Sequence, residues 1–275
     1  GVQAALGFTI NATHDFQVIL GASIRLGTGN WISDPSRDLK VSLVEGTNSR
    51  SRFFLIPNDA AAGTYDVLTA LWFDRNNSNT INTGDFQVDD RIFAGVMQVR
   101  LATSVSVPAV SGRRGQTVAL QATLRQSLDN APLSGRTITF KVNDTVVGNA
   151  VTNMSGVATL NYTLPLNMPL GNQTVRAEFE GDSTYAASFS TNTLTVQPVR
   201  VQGQVTLQGV SNPQGTAVRF VLRAGSQQET INTTLGANGS FAFDTQLSGA
   251  ANVRLTTPSG VWLCTQTNTM LNNIT

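Results

Sequence analysis

The sequence predicts an all-β protein of three tandem β-sandwich domains, and three observations carry that prediction. Apolar and polar residues alternate in run after run, the period of a strand with one buried face. Clusters of Gly, Pro, Asn and Asp separate the runs at turn-like spacing. No window sustains the i, i+3, i+4 apolar spacing of an amphipathic helix. A chain of 275 residues is long enough for two or three small domains.

Composition narrows the class. Charged residues make up 13% of the chain, about half the usual share, and Ser, Thr, Asn and Gln take their places. The 18 basic and 17 acidic residues leave a net charge of +1, scattered without a basic stripe. Nucleic acid is therefore excluded as a partner, because nothing neutralises a run of phosphates. No stretch approaches the roughly 20 apolar residues of a membrane span. A polar, weakly charged surface suits an extracellular or cell-surface location. A start at Gly1 without Met and an end in strand-like sequence read as a processed or excerpted chain.

The first domain is expected over residues 1–101. Phe8 to Ile10, Phe16 to Leu26, Leu39 to Val44, Arg52 to Ile56, Tyr65 to Phe73 and Phe86 to Val99 all read as strands, with Gly63-Thr64-Tyr65 as a strand entry. Between the last two lies a twelve-residue loop from Asp74 to Asp85. Asp74, Asn76, Ser78, Thr80, Asn82 and Asp85 occupy positions 1, 3, 5, 7, 9 and 12, with Ile81 at position 8. This spacing resembles an EF-hand or dockerin loop, and the resemblance implies a Ca²⁺ site, since a hard cation takes six to eight oxygens from alternate residues of a tight loop. Ser78 stands where Asp or Asn is usual, and Asn79 where Gly is usual, a substitution Asn tolerates because it enters the left-handed region. Two carboxylates place such a site near roughly 0.1–1 mM affinity, and Asp89 and Asp90 would add ligands if the next strand folded back. The alternative is an Asn/Ser/Thr-rich loop of turn formers.

The second domain is expected over 102–198. Val118, Leu120, Ala122 and Leu124 fall on one strand face, as do Ile138, Phe140 and Val142, then Ala158, Leu160, Tyr162 and Leu164, then Val175, Ala177 and Phe179, with Leu194 and Val196 closing the set. Gly112-Arg113-Arg114-Gly115-Gln116-Thr117-Val118, Pro132-Leu133-Ser134-Gly135-Arg136-Thr137-Ile138 and Phe179-Glu180-Gly181-Asp182-Ser183-Thr184-Tyr185 resemble the bacterial immunoglobulin-like domains of secreted and surface proteins. That resemblance implies an Ig-like sandwich and a surface or extracellular setting, and names no single function.

The third domain is expected over 199–275. Val201-Gln202-Gly203-Gln204-Val205 and Gly236-Ala237-Asn238-Gly239-Ser240-Phe241-Ala242-Phe243 read as a strand and a Gly-rich hairpin. Together they resemble the carboxypeptidase-regulatory-like β-sandwich, a module that is itself non-catalytic.

Single residues with reactive chemistry get bland assignments. Cys264 stands alone, so no intrachain disulfide or multi-cysteine metal site exists, and in Val261-Trp262-Leu263-Cys264 it reads as a core residue. His14 has no nucleophile elbow to serve, and no pair of facing carboxylates for glycoside hydrolysis is apparent. The chain is expected not to be an enzyme. Trp72 and Trp262 read as core and Trp31 as a loop residue open to solvent. Asn11, Asn76, Asn143, Asn153, Asn161, Asn172, Asn232, Asn238 and Asn273 each begin an N-x-S/T sequon.

The function these readings support is a structural or adhesive extracellular protein, a surface stalk or fibre subunit. Its partners would be other copies of itself, or cell-surface proteins and glycans. Strand-like termini at Val2 to Ile10 and Met270 to Ile274 suggest assembly by strand exchange. The alternative is an accessory carbohydrate-binding or spacer region of a larger secreted enzyme.

Overall fold

The computed structural model describes residues 2–207, 210–256 and 265–271, the last of these for its backbone. The protein is all-β, a multi-domain β-sandwich whose only helical turns are two 3-10 segments among the described residues. Two compact units divide it: Gly1–Ala102 with Gly181–Ala186, and Thr103–Glu180 with Ala187–Thr275.

Unit 1 contains β1 (Val2–Ala12), β2 (Phe16–Leu26), β3 (Ile32–Ser33), β4 (Leu39–Leu43), β5 (Gly46–Ile56), β6 (Gly63–Phe73) and β7 (Phe86–Val99). β1 and β5 form one sheet. In the other, β2 pairs with β6 on one side and with β3 and β4 on the other, and β6 pairs with β7. Val18, Leu20 and Ile24 of β2, with Tyr65 and Val67 of β6, meet Phe8 and Phe54 of the smaller sheet, all buried. Each such side chain contributes roughly 1.5–3 kcal/mol by leaving water. The strands over 16–26 and 86–99 match their expected spans, while β1 and β5 run longer than their apolar cores.

Unit 2 continues with β8 (Thr103–Ser106), β9 (Val110–Arg113), β10 (Thr117–Gln126), β11 (Thr137–Val142), β12 (Thr145–Val151), β13 (Val157–Thr163), β14 (Gly171–Phe179) and β15 (Ser188–Gln197). The sheet β13-β10-β8 faces β12-β11-β14-β15-β9, whose last pair is parallel. Leu120, Ala122, Leu124, Ile138, Phe140 and Val175 are fully buried between them. After one intervening residue, Pro198, come β16 (Val199–Gln204), β17 (Ala217–Ala224), β18 (Gln227–Thr234), β19 (Ser240–Thr245), β20 (Gly249–Thr256) and β21 (Thr265–Leu271). Here β16-β19 packs on β18-β17-β20-β21, with Phe220 against Phe241 and Phe243 at 4.5 and 4.9 Å between ring centroids.

Two expectations are corrected by the topology. The Gly236–Gly239 turn does not make a hairpin: β18 and β19 lie in different sheets, and the left-handed Asn238 (φ 55°) and Gly239 (φ 77°) swing the chain across from one to the other. The strand it delivers does pair with the Val201 segment, Gly203 lying opposite Phe241. Strand exchange through the termini loses its basis. β1 is paired with β5 over its whole length, and Met270 and Leu271 pair with Ala250 and Gly249 of β20, while 272–274 lie outside the described residues.

Candidate metal loop and the clamped joint

The Asp74–Asp85 loop leaves the end of β6 and is closed by its own polar atoms. Asp74 Oδ1 accepts the Ser78 amide (2.9 Å) and Oδ2 accepts the Asn79 amide (2.9 Å). Asn76 Oδ1 accepts the Ser78 amide at 3.0 Å. Asp85 closes the far end, its two oxygens accepting the amides of Arg75 (3.1 Å) and Asn82 (2.9 Å). Asn79 is left-handed, with φ 65°, in the position where a tight loop usually calls for glycine. Inside the turn, Ser78 Oγ donates to the Thr80 carbonyl at 2.8 Å, and the Asn82 amide group donates to both, at 2.5 and 3.0 Å. Asn76 Nδ2 donates to Asn82 Oδ1 at 2.8 Å. The six residues therefore converge as an oxygen-rich turn.

Anchoring comes from outside the loop. Ile81 lies over Gly21 of β2, where a side chain would meet its Cδ1 at 2.8 Å, and beside Trp72. Trp72 is accordingly half-buried on the outer face of the sheet rather than in the core. Lys40 Nζ donates to Asp74 Oδ2 (3.1 Å) and to Asn77 Oδ1 (2.5 Å), a cation that no local motif signals because it sits 34 residues away. Burial of Asp74 works to raise its pKa, but the Asn79 amide, Lys40 and the Ser78 amide outweigh it and hold the carboxyl below its ordinary range. No group of three His, Cys, Asp or Glu side chains gathers among the described residues, so any cation here would rely on Asp74 and Asp85 plus neutral oxygens. Asp89 and Asp90 do not join the loop; they line a groove beside β1.

The other residues singled out by sequence are scattered. His14 is exposed, bonded to Thr13 Oγ1 at 3.1 Å and tilted against Phe16. Trp31 is half-buried, not open: the Arg25 guanidinium sits 4.4 Å over its ring and is held by Asp66 at 3.0 Å. Trp262, Cys264 and Asn273 lie outside the described residues. Of the sequons, Asn11, Asn76, Asn143, Asn153, Asn161, Asn172, Asn232 and Asn238 are all exposed. The Asn143 amide donates to Gln173 and accepts from the Thr174 amide.

Within unit 2, two adjacent arginines at the end of β9 reach across to the sandwich that follows. Arg113 Nη1 donates to the Pro198 carbonyl (3.0 Å) and to Asp244 Oδ1 of β19 (2.7 Å). Arg114 donates to the Met168 carbonyl (2.6 Å) and the Gln246 carbonyl (2.9 Å), and Ser248 Oγ donates to the Leu166 carbonyl (2.8 Å). These bonds span 54 to 132 residues of sequence, with the linker between the two sandwiches reduced to Pro198. The clamp is not legible in the sequence, since Arg113 and Arg114 look like turn residues in isolation.

Residues 102–197 match the family model of the bacterial Ig-like domain (group 3). Comparison with curated proteins gives no match. Among solved structures, the chain is similar to a tetra-tandem repeat from the extending region of a large adhesion protein (15% identity, 99% of this chain, 75% of that chain, TM-score 0.29). It is also similar to the T6 backbone pilin of serotype M6 Streptococcus pyogenes (10% identity, 98% and 80%, TM-score 0.29). Fibronectin(III)-like modules of Clostridium thermocellum CbhA match at 14% identity over 68% of this chain and 86% of that one, TM-score 0.28.

Proposed function

We propose that the chain is a non-enzymatic structural region of an extracellular or cell-surface protein, a stalk or fibre segment in which three sandwiches follow one another. The observation that carries this reading is the clamp of Arg113, Arg114 and Ser248 across a one-residue linker. Tandem domains ordinarily swing on their linkers, and a joint crossed by three hydrogen bonds, with a fourth to the linker carbonyl, resists that swing, the property a spacer needs. The test is a spin-label distance measurement on the full chain carrying N161C/N232C with Cys264→Ser. A single narrow distance distribution supports a spacer; a broad one overturns it. Antibody labelling of intact, unpermeabilised source cells tests the location. The alternative, an accessory carbohydrate-binding or spacer region of a larger secreted enzyme, gains no support from Trp31, whose ring lies under the Arg25 guanidinium.

A second reading concerns the metal loop. Its left-handed Asn79 and the convergence of Ser78, Thr80, Asn76 and Asn82 oxygens favour Ca²⁺, held by Asp74, Asn76, Ser78, Thr80, Asn82 and Asp85. Bound there, the ion would take over the closure that backbone amides and Lys40 provide. At about 1 mM affinity, 10 mM Ca²⁺ would stabilise unit 1 by about 1.4 kcal/mol. Calorimetric titration should give a saturable heat that Asp85→Ala abolishes. No heat and no thermal shift at that concentration would leave the loop as a self-closed turn.

A further inference from the structure

We propose that the free edge of β7 is a self-association surface, on which a second copy of this chain pairs antiparallel about a two-fold axis at Asp90. This goes beyond the spacer reading and does not depend on it. Among the described residues β7 is bonded on one side only, to β6, and its other edge is unpaired. Phe86, Val88, Ile92 and Phe93 on it are 56%, 52%, 54% and 46% exposed, so large apolar side chains stay in contact with solvent along this edge. An uncovered edge of this kind is a template for another strand.

Charge selects the occupant and the register. Over Asp89 to Phe93 the pairing with β6 is regular, which puts Asp89 opposite Leu71, Arg91 opposite Thr69, and Asp90 opposite Ala70. Asp89 and Arg91 therefore share one face while Asp90 takes the other. Neither Asp89 nor Arg91 forms an ion pair among the described residues. Asp89 Oδ1 accepts the neighbouring Asp90 amide, and Asp90 Oδ1 accepts from Gln87. A two-fold axis normal to the sheet keeps each face on its own side, so residues facing each other differ by an even number of positions. Centred on Asp90, the axis sets Asp89 opposite Arg91 of the second copy and Arg91 opposite its Asp89. Centred one residue on, it would set guanidinium against guanidinium. Opposite charges directly across an antiparallel ladder are a stabilising combination. The cost is Asp90 facing its own copy, so association is weak and concentration-dependent, at the small end of protein interfaces.

Sedimentation equilibrium on the full chain with Cys264→Ser, up to about 1 mM, tests this. A monomer–dimer equilibrium is expected, lost in Arg91→Asp, restored in the charge-swapped D89R/R91D, and tightened severalfold by Asp90→Asn. All these residues are exposed, so the fold is preserved, and circular dichroism checks it. A monomer throughout the range overturns the proposal, as does association indifferent to Arg91→Asp. Stronger association in D89N/R91Q also overturns it, because the charges would then be guarding the edge against pairing rather than directing it.

Discussion

Arg52 and Asp38 show how far a single residue's behaviour can depart from its type. Arg52 is 3% exposed on β5, its Nε and Nη2 donating to the carbonyls of Arg37 and Asp34, while Nη1 stands 3.4 Å from Asp38. Burial pushes the Asp38 carboxyl up to about 6; Arg52 pulls the other way without prevailing, and Asp34 adds to the rise. A raised carboxyl pKa means the native state holds its proton more tightly than the unfolded chain. Its contribution to stability is therefore present below about pH 4 and lost as pH rises through about 6. Thermal denaturation should show a fall in unit 1 stability between pH 4 and 7 that is smaller in Asp38→Asn; parallel profiles for the two proteins would refute it. Asp66, Asp74 and Glu178, whose pKa values are lowered, act in the opposite sense in both proteins and cancel in the difference. Gly156 carries a different constraint. At φ 76° it sits where an added Cβ would lie 2.5 Å from the Leu124 carbonyl, which bonds the Leu133 amide. Gly156→Ala should cost roughly 2–4 kcal/mol in denaturant unfolding, and a loss under about 0.5 kcal/mol would show that the turn relaxes freely.

Alternation made most elements legible, because a strand with one buried face writes its own period. β10 is the clearest case: Val118, Leu120, Ala122 and Leu124 are all buried and their neighbours are not. β12 escaped notice since Thr145–Val151 has Gly148 at its centre and exposes Val146 and Val151, an edge strand without an apolar face. The candidate loop was legible as a spacing of oxygens, yet its Lys40 and Gly21 supports were not, being contributed by strands 34 and more residues away. Those supports are testable at the same scale. Gly21→Ala puts a methyl 2.8 Å from Ile81 Cδ1, the far end of a flexible side chain, so Ile81 must move while the sheet stays. Hydrogen exchange in 74–85 should speed up by about tenfold, equivalent to about 1.4 kcal/mol of local stability, with β2 and β6 amides unchanged. Uniform acceleration through both strands would mean that Gly21 serves the core instead.

At the scale of the molecule, the joint in unit 2 decides whether tandem sandwiches amount to a spacer, and magnitudes show which of its bonds matter. The Arg113–Asp244 ion pair has side chains 24% and 40% exposed, so it contributes at most about 0.5–1 kcal/mol and is screened by salt. Arg113, Arg114 and Ser248 also reach four carbonyls, those of Pro198, Met168, Gln246 and Leu166, which salt screens far less. Charged donors on neutral carbonyls are the stronger class, and losing Arg113 or Arg114 leaves the partly buried Pro198 or Met168 carbonyl unpaired. The joint should therefore keep its narrow inter-label distance in 1 M salt. Asp244→Ala should broaden the distribution slightly, and Arg114→Ala substantially, because that side chain ties the Met168 loop to the following sandwich. Salt-induced broadening in the unmodified joint would instead make the ion pair its principal tie and turn the segment into an ionic-strength-dependent hinge.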